Sequence, residues 1–316
     1  MSAFVWLCIA VCLAAAAPSI AAGVLSAQTL WACLFRAGLR RRVLRYPSLL
    51  FLIRTSPLSL PLLVVCFAVL PSFLTLEPRQ TAEKPDWWLT ALAVFSLLAL
   101  GLVIAKLAWM LISTGRAERE WMQSARRIDS PAAIPIYEIE HPDSLVAVVG
   151  IFSPRIFLGR RILDSLTTEE LRAALAHEVA HVHSLDNLKQ ALLSATGILP
   201  FFSRIDCAFR SAAEISADAR AMQSRISPLD LGSAIVKVAR LRAVAPPIAA
   251  SHLVPDFESS ALQLRVEHLQ TVLDGRSRSR RGPYGWLIAS MLLMIYFVKL
   301  PLWLGLVHRA TELLVR

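Results

Sequence analysis

The chain has 316 residues, of which 56% are hydrophobic and only 18% charged, with a formal net charge of +10 at pH 7. A soluble domain of this length rarely carries so few charges, so the composition points to a membrane protein. None of the five cysteines stands in C-x-x-C spacing, which argues against a disulfide framework or a thiolate metal site.

Four stretches have the length and apolarity of spanning helices. The first lies within Met1 to Phe35, a run without a charge, and is most apolar from Phe4 to Leu25. Its AAAAPSIAAG segment offers small residues for signal-peptide cleavage, but a positive leader region is missing and the uncharged run continues past it, so retention is expected. The second lies between Ser56 and Leu76, the third between Trp87 and Met110, and the fourth between Tyr284 and Val307.

The arginines orient these segments, because cytoplasmic loops carry the excess of basic residues. Arg36, Arg40, Arg41, Arg42 and Arg45 follow the first segment, and Arg116, Arg119, Arg126 and Arg127 follow the third. Arg276, Arg278, Arg280 and Arg281 precede the fourth, whereas the loop from Glu77 to Asp86 has no such excess. The expected topology is a multi-pass protein of a bacterial-type inner membrane, with both termini outside and residues from about Gly115 to Gly282 in the cytoplasm. The positive charge then faces the anionic inner leaflet. It marks no nucleic-acid partner, since the arginines flank spans and no binding module accompanies them.

Within the cytoplasmic part, a charged amphipathic stretch from Ala117 to Ile128 precedes short runs of strand character at Ile134 to Glu140, Ser144 to Val149 and Arg155 to Leu158. Pro131, Pro135, Pro142, Gly150 and Pro154 punctuate them, which predicts a small antiparallel sheet. Its edge is placed either to receive an extended peptide or simply to cover the following helix.

That helix is predicted from about Thr168 to His183. Thr167 and Glu170 have capping-box spacing, and LRAALAHEVAHV contains no Gly or Pro. His177 and His181, four residues apart, project from one face on adjacent turns, so their ring nitrogens can converge on one metal ion. Glu178 is rotated about 100° from His177 and is not a third ligand, but it can take a proton from water. This is the H-E-x-x-H pattern of zinc hydrolases, with the glutamate as general base. A core helix with incidental histidines would instead bury two imidazoles and a carboxylate without a partner.

Downstream, Ala191 to Phe202 is uncharged but too short to span a bilayer, and Gly197 and Pro200 interrupt it; dipping into the membrane and packing against the spans both remain open. The run from Arg204 to Ser224 contains SAAEISADARAM. Glu214 is the best candidate for the missing third ligand, and Asp218, one turn later, could fix the tautomer of a ligating histidine. Arg210 and Arg220 are near enough in sequence to be considered as oxyanion donors. The stretches Pro228 to Val244 and Asp256 to Leu273 read as amphipathic structural helices, and His252 and His268 have no partner at ligand spacing.

HEVAH followed by Asp186, then Glu214 and Asp218, resembles the glutamate-liganded membrane zinc peptidases. Three spans, a zinc domain and a fourth span resemble the BlaR/MecR-type antirepressor family in particular. So do VVGIFSPRIFLGRRIL before the metal helix, the short distance from His181 to Glu214, and QLRVEHLQTVL. The HtpX/Ste-type family is the alternative. The resemblance implies Zn2+ held by His177, His181 and Glu214, Glu178 as base and acid in peptide hydrolysis, and Asp186 and Asp218 in support.

The expected fold is therefore a mainly α membrane protein with four transmembrane helices and a cytoplasmic α+β zinc-peptidase domain inserted between the third and fourth. Residues 1–114 would hold three spans and a basic loop at 36–47, residues 115–282 the peptidase domain, and residues 283–316 the last span and a short external tail. The chain stops shortly after that span, so direct β-lactam sensing by a penicillin-binding domain is not expected. A signal would come from a separate sensor partner, a homo-oligomer or the bilayer. The expected activity is cleavage of a protein substrate, such as a transcriptional repressor. The alternatives are a quality-control protease of membrane proteins and a non-catalytic signalling scaffold that retains the zinc fold.

Overall fold

The computed structural model describes residues 3–36, 43–78, 86–128, 134–140, 146–197, 202–244, 255–273 and 300–315. Several features named above lie outside these residues: Arg40, Arg41, Arg42, the basic cluster from Arg276 to Arg281, His252, and the expected fourth span as far as Lys299. The chain divides into two compact units, one made of Met1–Cys33, Leu52–Ala105 and Arg278–Arg316, the other of Leu34–Phe51 and Lys106–Ser277.

Three helices are long and apolar enough to cross a membrane, and the first unit takes the parts of them within Met1–Cys33 and Leu52–Ala105. They are α1 (Ala3–Arg36), α2 (Pro47–Leu76) and α3 (Trp87–Ser124). Each exceeds the roughly 20 residues that a hydrocarbon core requires. Proline within α2 is accommodated by a side chain: Pro57 cannot donate to the Ile53 carbonyl, and the Ser56 hydroxyl donates there instead at 2.8 Å. The same hydroxyl donates to the Gly23 carbonyl at 2.9 Å, and a Cβ on Gly23 would stand 2.6 Å from the Ser56 backbone carbonyl oxygen, so only glycine allows α1 and α2 to approach this closely. Leu7, Val11, Ala14, Val69, Phe73 and Leu89 form the buried seam of the unit.

The second unit is built on a four-stranded sheet of β1 (Arg126–Ile128), β2 (Ile136–Ile139), β3 (Val146–Val149) and β4 (Arg155–Gly159). Its order is β1-β2-β4-β3. This corrects the expectation of an antiparallel sheet, because β2 and β4 pair in parallel, Ile136 opposite Ile156 and Glu138 opposite Leu158. The reason is topological. The chain leaves β2 for the far edge, forms β3 there, and returns through a tight turn that inserts β4 between them. Gly150 makes that turn at φ 99°, and a Cβ there would meet the Ser153 carbonyl at 2.6 Å.

Side chains alternate across the strands with period two, and both faces are covered. Ile136, Val146, Ile156 and Leu158 pack with Ile162 of the short helix α4 (Arg160–Ser165) against Leu171, Leu175 and Val179 of α5 (Thr168–His183). Ile139, Val149 and Phe157 point the other way, towards Trp121 and Met122 near the end of α3. The sheet thus covers the His177 helix. Its β3 edge is partly occupied, since the Asn187 amide donates to the Val148 and Gly150 carbonyls at 3.1 and 3.3 Å.

The remaining helices are α6 (Asp186–Ala195), α7 (Ser203–Gln223), α8 (Pro228–Val244), α9 (Pro255–Leu273) and α10 (Leu300–Val315), the last in the first unit. Ala173 of α5, Ala221 of α7, Leu231 of α8 and Leu269 of α9 share one buried cluster, so four helices converge behind the histidines. Among the described residues of the uncharged stretch 191–202, the first part closes α6 and Phe202 is buried.

Candidate metal centre

The helix that carries the two histidines starts where its sequence directs. The Thr167 hydroxyl accepts from the Glu170 amide at 3.3 Å, and the Glu170 carboxylate accepts from the Thr167 amide at 2.8 Å, closing the capping box. Glu170 is further held by Ser233 at 2.5 Å and Lys237 at 2.6 Å, both from α8. These contacts fix the helix axis against α8 and so fix where His177 and His181 point.

His177 and His181 turn their Nε2 atoms towards each other, 3.1 Å apart. Glu214, from α7, brings Oε2 to 3.3 Å from His177 Nε2 and Oε1 to 3.5 Å from His181 Nε2. Two imidazole nitrogens and a carboxylate thus converge on one point, with all three donor atoms within 4.8 Å of one another. A tetrahedral cation with ligand bonds near 2.0–2.1 Å requires its ligand atoms about 3.3 Å apart. The observed separations bracket that value, so the residues present fit a divalent metal ion.

Behind each imidazole stands a carboxylate. Asp186 Oδ2 lies 2.8 Å from His181 Nδ1, and Asp218 Oδ1 lies 2.9 Å from His177 Nδ1. The second contact is close but off-line: His177 Nδ1 has no partner in hydrogen-bonding alignment. Asp186 assigns a proton to His181 Nδ1 and leaves its Nε2 as the electron-pair donor, while Asp218 stands beside His177 Nδ1 without an aligned bond. Asp186 reaches its place because the chain between α5 and α6 turns sharply at Leu185, which adopts φ 54°. Asp218 follows Glu214 by one helical turn and is fully buried.

Electrostatics follow from this packing. Burial opposes a charge on His177, but the contacts with Asp218 and Glu214 outweigh it and raise the imidazole to about 9. Burial likewise works against the Glu214 and Asp218 carboxylates, and in both His177 and Arg265 hold the group well below the usual carboxylate range. The Glu214 side chain keeps 35% of its exposure against 10% for His177, so the cluster opens towards solvent on the Glu214 side. Glu178 is half-buried and stands outside the three-residue cluster, as its position on the helix requires.

Sequence reasoning missed Arg265. On α9 it donates through Nε to Asp218 Oδ2 at 2.8 Å and through Nη2 to Asp218 Oδ1 at 2.7 Å, and its Nη1 stands 2.8 Å from Glu214 Oε2. The available signal was its place on an apolar helix face, three residues after Leu262 and four before the buried Leu269. Of the two arginines considered for an oxyanion, Arg210 donates to Cys207 Sγ at 3.3 Å and Arg220 donates to the Ser184 hydroxyl.

Apolar helices of spanning length and a cluster of two histidines on the H-E-x-x-H helix with Glu214 of α7 fit a membrane metallopeptidase. Residues 85–269 match the family described as BlaR1 peptidase M56, and the chain belongs to that family. The match runs from the start of α3 to Leu269 and includes every residue of the cluster. It also decides between the two resemblances in favour of the BlaR/MecR branch. Comparison with curated proteins finds no match.

Proposed function

We propose that the protein is an integral-membrane zinc endopeptidase that cleaves a protein substrate at the cytoplasmic face of a bacterial-type inner membrane. The observation that carries this reading is the convergence of His177, His181 and Glu214, three protein ligands of a kind that leaves a coordination position open. Residues His177, His181 and Glu214 would hold the ion. Bound zinc would polarise the scissile carbonyl and make water acidic enough to attack at neutral pH.

The chain's own groups do the rest. Glu178 follows the ligand His177 in sequence and takes a proton from the attacking water. It then delivers that proton to the amide nitrogen as the C–N bond breaks, giving one carboxylate and one amine. Asp186 keeps the His181 imidazole in the Nε2-donating tautomer, and Asp218 stands beside His177 Nδ1. Partial occupation of the β3 edge by Asn187 favours the reading in which the sheet supports the helix over one in which substrate pairs along the whole strand.

Family membership favours regulatory cleavage, with a transcriptional repressor as the substrate. The arginines after α1 and α3 favour a cytoplasmic site.

The test is metal content and casein cleavage by detergent-purified protein. Wild type is expected to hold about one zinc and to cut; Glu178→Gln to hold zinc with cleavage reduced at least about 100-fold; and Glu214→Ala to lose zinc. Full zinc in Glu214→Ala refutes the third ligand. Zinc-loaded wild type that cuts neither casein nor a co-expressed repressor favours a scaffold.

A further inference from the structure

Glu214 has a long side chain that keeps 35% of its exposure, yet both of its carboxylate oxygens lie 3.3–3.5 Å from a histidine nitrogen. Helix geometry alone does not hold a glutamate rotamer in that pose, because such side chains lose substantial rotamer entropy when fixed. Arg265 supplies the constraint. Its guanidinium grips Asp218 with two parallel hydrogen bonds, of 2.8 and 2.7 Å, and presents the remaining nitrogen to Glu214 Oε2 at 2.8 Å.

Asp218 is 0% exposed and Arg265 15%. A buried, bidentate arginine–carboxylate pair has one geometry, so the third guanidinium nitrogen is also fixed in space. From the geometry we infer that Arg265 is a positioning residue for the metal ligand Glu214, using Asp218 as its anchor. Asp218 then has two duties, one to His177 and one to Arg265. A lysine could not perform both of Arg265's contacts, because an ammonium is a point charge without the planar fork.

The charge of Arg265 by itself repels a divalent cation, but Asp218 neutralises it at 2.7 Å. What remains at the metal is the orientation of Glu214. Glu214 and Asp218 therefore both depend on a residue of another helix, 47 positions beyond Asp218. The inference rests on the zinc-site reading above, and the experiment separates the two.

Zinc affinity is measured by chelator competition, and the visible spectrum is recorded with Co2+ in place of zinc. Both are done on full-length, detergent-purified wild type, Arg265→Lys, Arg265→Ala, Asp218→Asn and the Asp218→Asn/Arg265→Ala pair. Folding of each is checked by circular dichroism and thermal melting. Arg265→Ala is expected to weaken zinc binding by roughly 10- to 100-fold and to change the intensity of the Co2+ bands, with Arg265→Lys recovering only part of the loss. The double variant removes the buried carboxylate charge that Arg265→Ala alone would strand. Because Asp218 is the anchor, removing the arginine is expected to cost less in the Asp218→Asn background than in wild type, and an equal loss in both backgrounds overturns the anchoring.

Affinity within about twofold of wild type, or tighter, in folded Arg265 variants overturns the positioning role and leaves Arg265 as a charge balance. His177→Ala serves as the reference. If wild type binds no more zinc than His177→Ala, the zinc-site reading itself fails and the inference with it. If wild type binds and His177→Ala does not, only the arginine comparison decides.

Discussion

Each of the two histidines has a carboxylate beside its Nδ1, aligned at His181 and off-line at His177. Asp186 comes from the next helix along the chain, five residues after His181, and Asp218 from α7, yet each places an oxygen within 2.9 Å of an Nδ1 atom. An imidazole whose Nδ1 proton is held by a carboxylate is a better-oriented and more basic ligand through Nε2. Asp186 also receives Lys189 at 3.4 Å, so neither of its oxygens is idle. Asp186→Asn keeps the shape of the side chain and removes its charge. It is expected to weaken zinc binding by about tenfold while leaving the helix content unchanged, which chelator competition and circular dichroism will show.

At the scale of the element, the first turn of α5 is an anchor as much as a cap. Glu170 is held by Lys237 first, then by Ser233 and the Thr167 amide, and these contacts lower its carboxyl to about 2. A carboxylate depressed below its ordinary value of 4.5 stabilises the fold fully above that pH, and the contribution is lost as pH falls towards 2. Lys237 is 38% exposed and solvent screens its share, so about 1–2 kcal/mol is a reasonable scale for the whole cluster. Glu170→Gln should therefore melt below wild type at pH 7 and 5 in detergent, and the gap should narrow steadily through pH 4 and 3. A gap that does not change with pH would mean that the carboxylate charge contributes nothing.

At the scale of the whole molecule, three apolar helices precede a sheet-and-helix unit that carries the cluster, and each helix is longer than a bilayer core needs. Their outward surface is apolar: Trp6, Leu62, Leu98 and Trp109 are each more than 60% exposed, as residues facing lipid are. If arginine distribution sets the orientation, the loop between α2 and α3 is external and the unit after α3 is cytoplasmic. Alkaline phosphatase fused within the loop at positions 79–85 should then be active in a bacterial host, and phosphatase fused after Ser124 or Ser224 inactive. Green fluorescent protein at the same sites should give the reverse pattern. Active phosphatase after Ser224 would place the metal centre outside and end the repressor-cleavage reading.

What the sequence determined by itself was local in character. Spacings of one, three and four residues are enough to specify a capping box, two histidines on one helix face, a glutamate beside them, and a glutamate–aspartate pair one turn apart. Helical geometry converts such spacings directly into positions in space. Long apolar runs specify spans for the same reason, because each depends only on its own composition. The tertiary structure decided what depends on contacts between distant parts of the chain. The parallel pairing of β2 with β4 follows from the order in which strands enter the sheet, which alternation within a strand does not encode. Arg265 reaches Asp218 across 47 residues, and on its own helix it is only an arginine on an apolar face. Its purpose emerges when α7 and α9 pack together and a buried carboxylate needs a partner that packing alone can bring.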